Sequence, residues 1–426
     1  MTGRHTTMEE CMAVLPIFEE MQRNGMPASR SYFEALSAEM WQRMSTVQRR
    51  ISTEYFDGRP FNPNSTKQVA TLLRRRGLVG HKRTQAGAVS TSEKSIGHLQ
   101  FTDPAIHDVF EWREYEHIKD AFCQPILGKF DPANPDDIQP IRCVIRTTRI
   151  PTRRIAASDP NLLAMPVRTE EGRKVRTGFI CPEGEVFGAW DYSQLEMRCM
   201  AHESRDPLMC QLFYENRDIH TETAARIFKI PLDQVDKFKH RIPAKNSGFG
   251  ILYGIQGEGL LTQLRMLGIE GWTKESCQKL IGDWLDVFQG VKEYIARTAV
   301  EVAKVGYVRD YSGAYRYIPG IRHYDRKIAA EAARLAVSQR IQGLAQTMIQ
   351  RAMIYLRPQI RSMQDSGLNV KWRLQVHDEL LKSFTPDLWE PLDYIVRDAL
   401  VNHSGIELRV PIECEGKYAS RWSDLK

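Results

Sequence analysis

Apolar residues recur at helical spacing near the start of the chain, through Met12, Leu15, Ile17, Phe18 and Met21, then through Phe33, Leu36, Met40, Met44 and Val47. Positions three and four apart share one helix face, so this stripe predicts helix from about residue 8 to 56. From Asn62 to Ser92 the pattern breaks at Pro63, Gly77, Gly80 and Gly87. Another helix is predicted near Ala105–Phe122, and residues 131–140, rich in Pro, Asp and Asn, read as a loop. The short apolar run from Glu185 to Trp190 predicts a strand that leads into Asp191 and a helix to about His202. Residues Asp218 to Ala303 read as mostly helical, with breaks at Pro231, Pro243 and glycine clusters. Residues 304–320 resemble a hairpin, and a long helix is predicted over Asp325–Leu356. Val370–Gln375 and Glu379–Phe384 read as two strands around a tight turn, followed by a helix and a last strand at Glu407–Glu413. Helices and strands segregate rather than alternate, which predicts an α+β fold.

The chain has 426 residues, 42% of them hydrophobic. A core of that size divides over two or three lobes, since single cores rarely grow past roughly 250–300 residues. The formal charge of +6 is compatible with a polyanionic partner. Arg74, Arg75, Arg76, His81, Lys82 and Arg83 form a basic cluster that reads either as a solvated face or as a phosphate-binding loop. A second basic stretch holds Arg142, Arg146, Arg149, Arg153, Arg154, Arg168, Arg173, Lys174 and Arg176. The eight cysteines include no Cys-x-x-Cys pair, which argues against zinc ribbons and thioredoxin-like sites and fits reduced thiols. No apolar run reaches the roughly 18–20 residues of a membrane span. The opening Met-Thr-Gly-Arg-His5 lacks the apolar core of a signal peptide, and His377-Asp-Glu-Leu380 is internal and so is no retention signal. The expected location is the cytoplasm, without a membrane partner.

Three elements carry candidate chemistry. Asp191 ends an apolar strand, where a carboxylate costs free energy unless a positive group pairs with it. Its alternative reading is a helix N-cap. Asp378 sits at the tip of the predicted hairpin, between apolar strands and without the glycine usual in such turns; its alternative is an ordinary turn residue. Two carboxylates converging from a strand end and a hairpin tip suit paired Mg²⁺ ions for an in-line phosphoryl displacement. In the third element Arg241, Lys245, Phe249 and Tyr253 recur every four residues. On a helix they line one face over about 18 Å, two cations for a triphosphate and then two aromatics for a base. The alternative is an amphipathic helix with a solvated end, with Pro243 tolerated in its first turn. No Gly-x-x-x-x-Gly-Lys-Ser/Thr loop is present, which disfavours a P-loop ATPase or helicase.

These elements, in this order, resemble the three signature motifs of family A DNA polymerases. Asp191-Tyr-Ser-Gln194-Leu-Glu196-Met-Arg198 resembles the first, Arg241 to Gly254 the second, and Gln375-Val-His-Asp-Glu379-Leu the third. Further resemblance lies in Ser158-Asp-Pro-Asn-Leu162 through Pro166-Val-Arg168 and Glu171-Gly-Arg173, and in Phe61-Asn-Pro-Asn-Ser65, Lys67-Gln68 and Ser90-Thr-Ser-Glu93. The resemblance runs from about residue 10 to the end. It implies a right-hand fold: residues 1–140 thumb and the approach to the palm, 141–210 palm with the first motif, 211–303 fingers, 304–426 palm with the third motif. It implies a DNA-directed DNA polymerase that extends a primer with dNTPs on primer–template DNA, using two Mg²⁺ ions with Mn²⁺ as a substitute.

The resemblance also implies residue roles. Asp191, Asp378 and the Tyr192 carbonyl bind metal, and Glu379 is a secondary acid. Arg241, Lys245 and His220 hold the triphosphate, and Lys245 protonates the leaving pyrophosphate. Phe249 stacks near sugar and base; being phenylalanine rather than tyrosine, it implies poor use of dideoxynucleotides. Gln194 lies in the nucleotide site, Tyr253 beside the templating position, and Glu196 gates against a 2′-hydroxyl. Arg154, Arg334, Gln342 and His377 contact primer–template.

The chain departs from the family pattern at Arg153, at Ala314-Tyr315, at Ser338 and at Gly248, where an interior glycine predicts a looser fingers helix. Thumb-like sequence from residue 10 leaves no room for a proofreading domain, so any exonuclease or processivity factor is expected on a separate chain, in a bacterial or phage-infected cytoplasm. A single-subunit RNA polymerase and a degenerate polymerase serving as a DNA-binding module are the alternatives; Glu196 and His377-Asp378-Glu379 argue against the first, and intact Asp191, Asp378, Arg241 and Lys245 against the second.

Overall fold

A computed structural model describes residues 7–78, 80, 83–84, 87–167 and 169–425. His81, Lys82 and Arg168 of the two basic stretches, and the first six residues, lie outside the described residues. The N-terminal stripe forms two helices, α1 (Thr7–Asn24) and α2 (Arg30–Arg50). Between them the chain turns at Gly25, whose φ is +59° and where a Cβ would lie 2.7 Å from the Ile141 carbonyl oxygen. Strand β1 (Met26–Ser29) follows and pairs antiparallel with β2 (Ile138–Ile141). All four β1 residues are buried, so no alternation marks them in the sequence. The same pairing shortens the expected loop at 131–140. Ser29 ends β1 and caps α2, its hydroxyl accepting from the Tyr32 N–H. Helix α3 (Pro104–His117) begins at the Asp103 cap, close to where its periodicity placed it.

The sheet that carries the site has four antiparallel strands in the order β10 (Cys414–Ala419), β5 (Val186–Tyr192), β9 (Glu379–Phe384), β8 (Val370–Val376). The pair β3 (Val144–Arg146) and β4 (Ala156–Ser158) stands apart from it. β5 is interior and nearly continuously buried, which explains its unbroken apolar run. Trp190 of β5 stacks on Trp389 of the C-terminal helix Trp389–Asn402, with centroids 5.6 Å apart, and its indole N–H donates to Asp393 at 2.9 Å. The last strand begins at Cys414, not at Glu407. The alternation at Leu408, Val410 and Ile412 reflects anchors on irregular backbone: Leu408 and Val410 are buried there without a strand ladder.

Helices fill the middle of the chain: α4 (Leu195–Ser204), α5 (Ile219–Phe228), α6 (Ile242–Leu252), α7 (Lys274–Val287) and α8 (Gln289–Val305). The hairpin β6 (Tyr307–Arg309) and β7 (Tyr315–Tyr317) leads to α9 (Arg326–Asp365), 40 residues long. α9 continues past Pro358, although proline removes one ladder bond at about 3 kcal/mol. Leu356 and Ile360, both 0% exposed, hold the helix to the core on either side of the proline. A small second core of Val302, Val308, Ile318, Ala332 and Ala336 seats the hairpin. The eight cysteines are free, and among the described residues no helix is long and apolar enough to cross a membrane.

Lys382 of β9 is fully buried, opposite Gly188 and Trp372. Its Nζ lies over the Trp372 ring and has no hydrogen-bond partner. Burial drives its pKa well below the usual lysine range, with Glu20 the opposing influence. Burial therefore disfavours the charged form of this amine. Lys382→Met keeps the chain length and removes the unmet polar group, so it should stabilise the fold by about 1–3 kcal/mol at pH 7. The depressed pKa makes the unfolded lysine the better proton binder, so the gain should shrink toward pH 10.5, where the unfolded amine also loses its proton. Urea denaturation of both proteins at both pH values measures this. A loss of stability at pH 7 would mean that a charged ammonium on the Trp372 ring holds the site together.

Candidate active site

Six registered pairs join β5 to β9, and Asp191 stands directly opposite Glu379. β8 turns into β9 through His377 and Asp378 alone, with His377 at φ +56°, a left-handed conformation that a two-residue loop demands. Gln375, 0% exposed, braces this turn: its amide donates to the His377 carbonyl at 2.9 Å and to Gln346 Oε1 of α9 at 3.3 Å. Asp191 and Asp378 thereby line one cleft of about 420 Å³, with Gln346 and Phe249 among its other walls. Asp191 belongs to the strand and does not cap a helix; Gln194, at φ +52°, occupies the cap position of α4. Tyr192 sends its hydroxyl into the core, to the Leu400 carbonyl at 2.7 Å, so it offers the cleft its main chain. Glu379 is buried and is not among the cleft's lining residues.

Glu196 lies on the first turn of α4, as its five-residue offset from Asp191 predicts. One carboxylate oxygen is paired with the Arg154 guanidinium, and the other accepts from the Tyr253 hydroxyl at 2.6 Å. Burial and this carboxylate push the Tyr253 phenol up to about 12. Arg154 and Tyr253, expected against DNA, thus both grip Glu196. Gly254 follows Tyr253 with φ +73°, and a Cβ there would lie 2.5 Å from Arg334 Cδ of α9. Only glycine fits this end of α6.

α6 carries Lys245 exposed and Phe249 facing the cleft, with the Lys245 ammonium 5.8 Å from the Phe249 ring centre. Pro243 falls in its first turn. Arg241 precedes the helix and donates to Asp218 at 2.8 Å and to Thr221 at 3.1 Å. Burial raises the Asp218 carboxyl, but bonds from Arg241 and Thr221 outweigh it and bring it down to about 2. His220 packs 5.5 Å from Phe249; burial, then Lys245, lowers its imidazole to about 4 and keeps it neutral at pH 7. Asp218 and Thr221 escaped notice in the sequence, although an aspartate capping the helix of His220 was legible there. Gln346 left no sequence signal, because its place depends on α9 crossing the sheet.

The departures from the family pattern have local causes. Arg153 occupies a left-handed φ of +64° that suits glycine, yet its side chain is buried and donates to Gln350 at 2.7 Å and to Glu10 at 3.3 Å. Gly248 also has a packing role: a Cβ there would lie 3.0 Å from Trp284 Nε1, so the glycine lets α6 pack flush on α7. Ser338 accepts from Gln342 at 2.9 Å. The basic cluster of residues 74–83 is partly neutralised, with Arg75 on Asp57 and Arg76 on Asp103, while Arg74 stays exposed.

Charge sets what the cleft can hold. Burial, then the nearby Asp191 and Glu196, pushes the Asp378 carboxyl up to about 7, against the lowering influence of Arg154. A buried carboxylate raised in part by a second carboxylate beside it is a donor set a divalent cation fits, through Asp191, Asp378 and the Tyr192 main chain. His107, Asp108 and Glu111 also bring ligand atoms within 4.8 Å of one another, but Arg50 already occupies that group, at 2.6 Å from Asp108 and 2.8 Å from Glu111.

The model of DNA polymerase family A matches residues 30–424. The thermostable DNA polymerase I of Thermus aquaticus is 31% identical over 424 residues, covering 96% of this chain and 47% of its own length. DNA polymerase I of Pseudomonas aeruginosa is 30% identical over 419 residues, covering 97% of this chain and 44% of its own. The chain therefore spans about half the length of these relatives. The POL domain of Pol1 from M. smegmatis, solved in complex with DNA primer-template and dNTP, superposes with a TM-score of 0.86 at 28% identity, over 97% of this chain and 70% of that one.

With Asp378 held near 7 rather than about 4, the metal-free fold binds more protons than the unfolded chain between those values, and its stability falls as pH rises through that window. MgCl₂ should therefore raise Tm by a few degrees at pH 8 and much less at pH 5. Asp378→Asn should raise the metal-free Tm at pH 8 and remove the Mg²⁺ increment. Differential scanning calorimetry checks both, and a wild-type Tm indifferent to Mg²⁺ at pH 8 would contradict the cation site.

Proposed function

The chain belongs to DNA polymerase family A, and we propose that it extends the 3′ end of a DNA primer with dNTPs on a DNA template. One observation carries this reading: Asp191, Asp378, Glu196, Phe249 and Tyr253, drawn from both signature strands and the fingers helix, line one cleft. The domain reading is residues 1–140 thumb and approach to the palm, 141–210 and 304–426 palm, and 211–303 fingers.

In this reaction the primer 3′-oxygen attacks the α-phosphorus of the dNTP as the bond to the β-phosphate oxygen breaks and pyrophosphate leaves. Asp191, Asp378 and the Tyr192 carbonyl would hold two Mg²⁺ ions, with Mn²⁺ able to replace them. Bound there, they would supply positive charge that offsets the charge developing in the displacement. Lys245 and Arg241 hold the triphosphate, and Lys245, exposed to the leaving group, is the proton donor to pyrophosphate. Arg241 arrives preset by Asp218, so its guanidinium loses little freedom on binding phosphate. Neutral His220 donates a hydrogen bond to the phosphates without adding charge. Phe249 stacks near the sugar and base, Gln194 borders the nucleotide, and Glu379 is a secondary acid behind Asp191. Arg154, Arg334, Gln342 and His377 contact primer and template.

Glu196 is the proposed gate against ribonucleotides. Two bonds pin it, so a 2′-hydroxyl would meet a side chain that cannot swing aside.

Asp191→Ala or Asp378→Ala should lower Mg²⁺-dependent primer extension roughly a thousandfold or more, as loss of several kcal/mol of transition-state stabilisation implies. Retention of more than about a tenth of wild-type activity by Asp378→Ala would overturn the assignment. Glu196→Ala should raise kcat/KM for rNTP roughly tenfold or more relative to dNTP. Single-nucleotide insertion measures it; a wild-type enzyme that inserts rNTP as readily as dNTP refutes the gate.

A further inference from the structure

Arg153 and Arg154 are consecutive, yet they serve different parts of the molecule. Arg154 lines the cleft and pairs with Glu196. Arg153 turns inward, and its guanidinium donates to Gln350 at 2.7 Å and Thr347 at 3.2 Å on α9, and to Glu10 of α1 at 3.3 Å. Arg153 is 8% exposed and Glu10 2%, so this ion pair is closed to water. Two residues earlier, the Pro151 carbonyl accepts from Gln339 of α9 at 2.9 Å.

Stability alone does not account for this arrangement. A buried ion pair adds little over packed apolar groups, because desolvation offsets the attraction. Residue 153 also has φ +64°, a conformation that glycine adopts freely and arginine resists. What the anchor does supply is direction. On the far side of Arg154 the chain is fixed at once: Ile155 is buried, and β4 begins at Ala156, which pairs with Arg146. With residue 155 held, a return of residue 153 to negative φ has to be absorbed at Arg154, whose guanidinium would leave the cleft. Glu196 would then keep only the uncharged Tyr253 hydroxyl.

We infer that Arg153 is a positioning residue for sugar selection: anchored on Glu10 and Gln350, it holds the left-handed turn that delivers Arg154 to Glu196. The inference rests on the reading of Glu196 as the gate against ribonucleotides, and it adds a determinant that touches neither nucleotide nor metal.

Two variants of the full chain separate direction from stability. Arg153→Ala and Arg153→Gly lose the same buried bonds and differ at the backbone, where glycine accepts the left-handed φ and alanine resists it. Glu10 keeps Arg351 at 2.7 Å in both, so neither leaves a buried carboxylate unpaired. Single-nucleotide insertion gives kcat/KM for rNTP and dNTP. Arg153→Ala should raise the rNTP:dNTP ratio by about fivefold or more, within the coupling expected inside one bonded network, and Arg153→Gly by less than about twofold. Adding Arg153→Ala to Arg154→Ala should change the ratio no further. The crystal structure of Arg153→Ala should show residue 153 at negative φ and Arg154 away from Glu196, and that of Arg153→Gly should keep both in place. Equal ratios in the two variants would make Arg153 a merely structural residue and overturn the inference. Arg154 still on Glu196 in the alanine structure would overturn it as well. A ratio that Glu196→Ala leaves unchanged would overturn the gate, and sugar selection with it, whereas the crystal structures judge the placement of Arg154 without any catalysis.

Discussion

Asp191 and Asp378 meet because β9 pairs with β5 and returns to β8 through two residues. The pairing leaves no choice of place: a one-residue slip would send Asp191 to the opposite face, where Trp190 and Tyr192 face the C-terminal helix. Burial first, and then repulsion from Asp191, raises the Asp378 carboxyl in this cleft. The rest of the site follows from holding that charge still. Gln375 fastens the turn, Arg154 brings the compensating cation, and Trp190 anchors the strand from behind.

A second layer of the structure holds the holders. Glu196 is clasped from two sides, by Arg154 from the chain before β5 and by Tyr253 from the end of α6. Arg153, next to Arg154, keeps a left-handed backbone that an arginine rarely adopts. Its bonds to Glu10 of α1 and Gln350 of α9 over-determine that conformation, which is how strained backbone persists. Glu10 is shared with Arg351 at 2.7 Å, so the buried carboxylate is doubly paired. Helix α1 thus bears on the setting of Glu196 through a buried ion-pair group.

The strand that ends in Asp191, the hairpin carboxylate and the cationic-aromatic helix were legible in the sequence because each is local. An apolar run ending in aspartate, two strands around a short turn, and a four-residue recurrence all depend on near neighbours along the chain. The long helix and the second hairpin were visible for the same reason. The sequence misled where local signals had two readings. Residues 26–29, which form β1, fell inside a stretch read as helical, the long helix was read as ending near Leu356, and Glu407–Glu413 was read as a strand.

By itself the sequence determined the α+β class, the family resemblance, the two candidate carboxylates and the cationic-aromatic strip, since spacing within one element is enough to align them. The tertiary structure decided the partnerships. Tyr253 and Arg154 are 99 residues apart in number and converge on Glu196, Asp218 pairs with Arg241 across helices, and Gln346 reaches the cleft from α9. It also showed the close contact of Gly248 with Trp284. These outcomes depend on which surfaces pack against one another, and hydrophobic burial is not directional enough to announce that in a one-dimensional pattern.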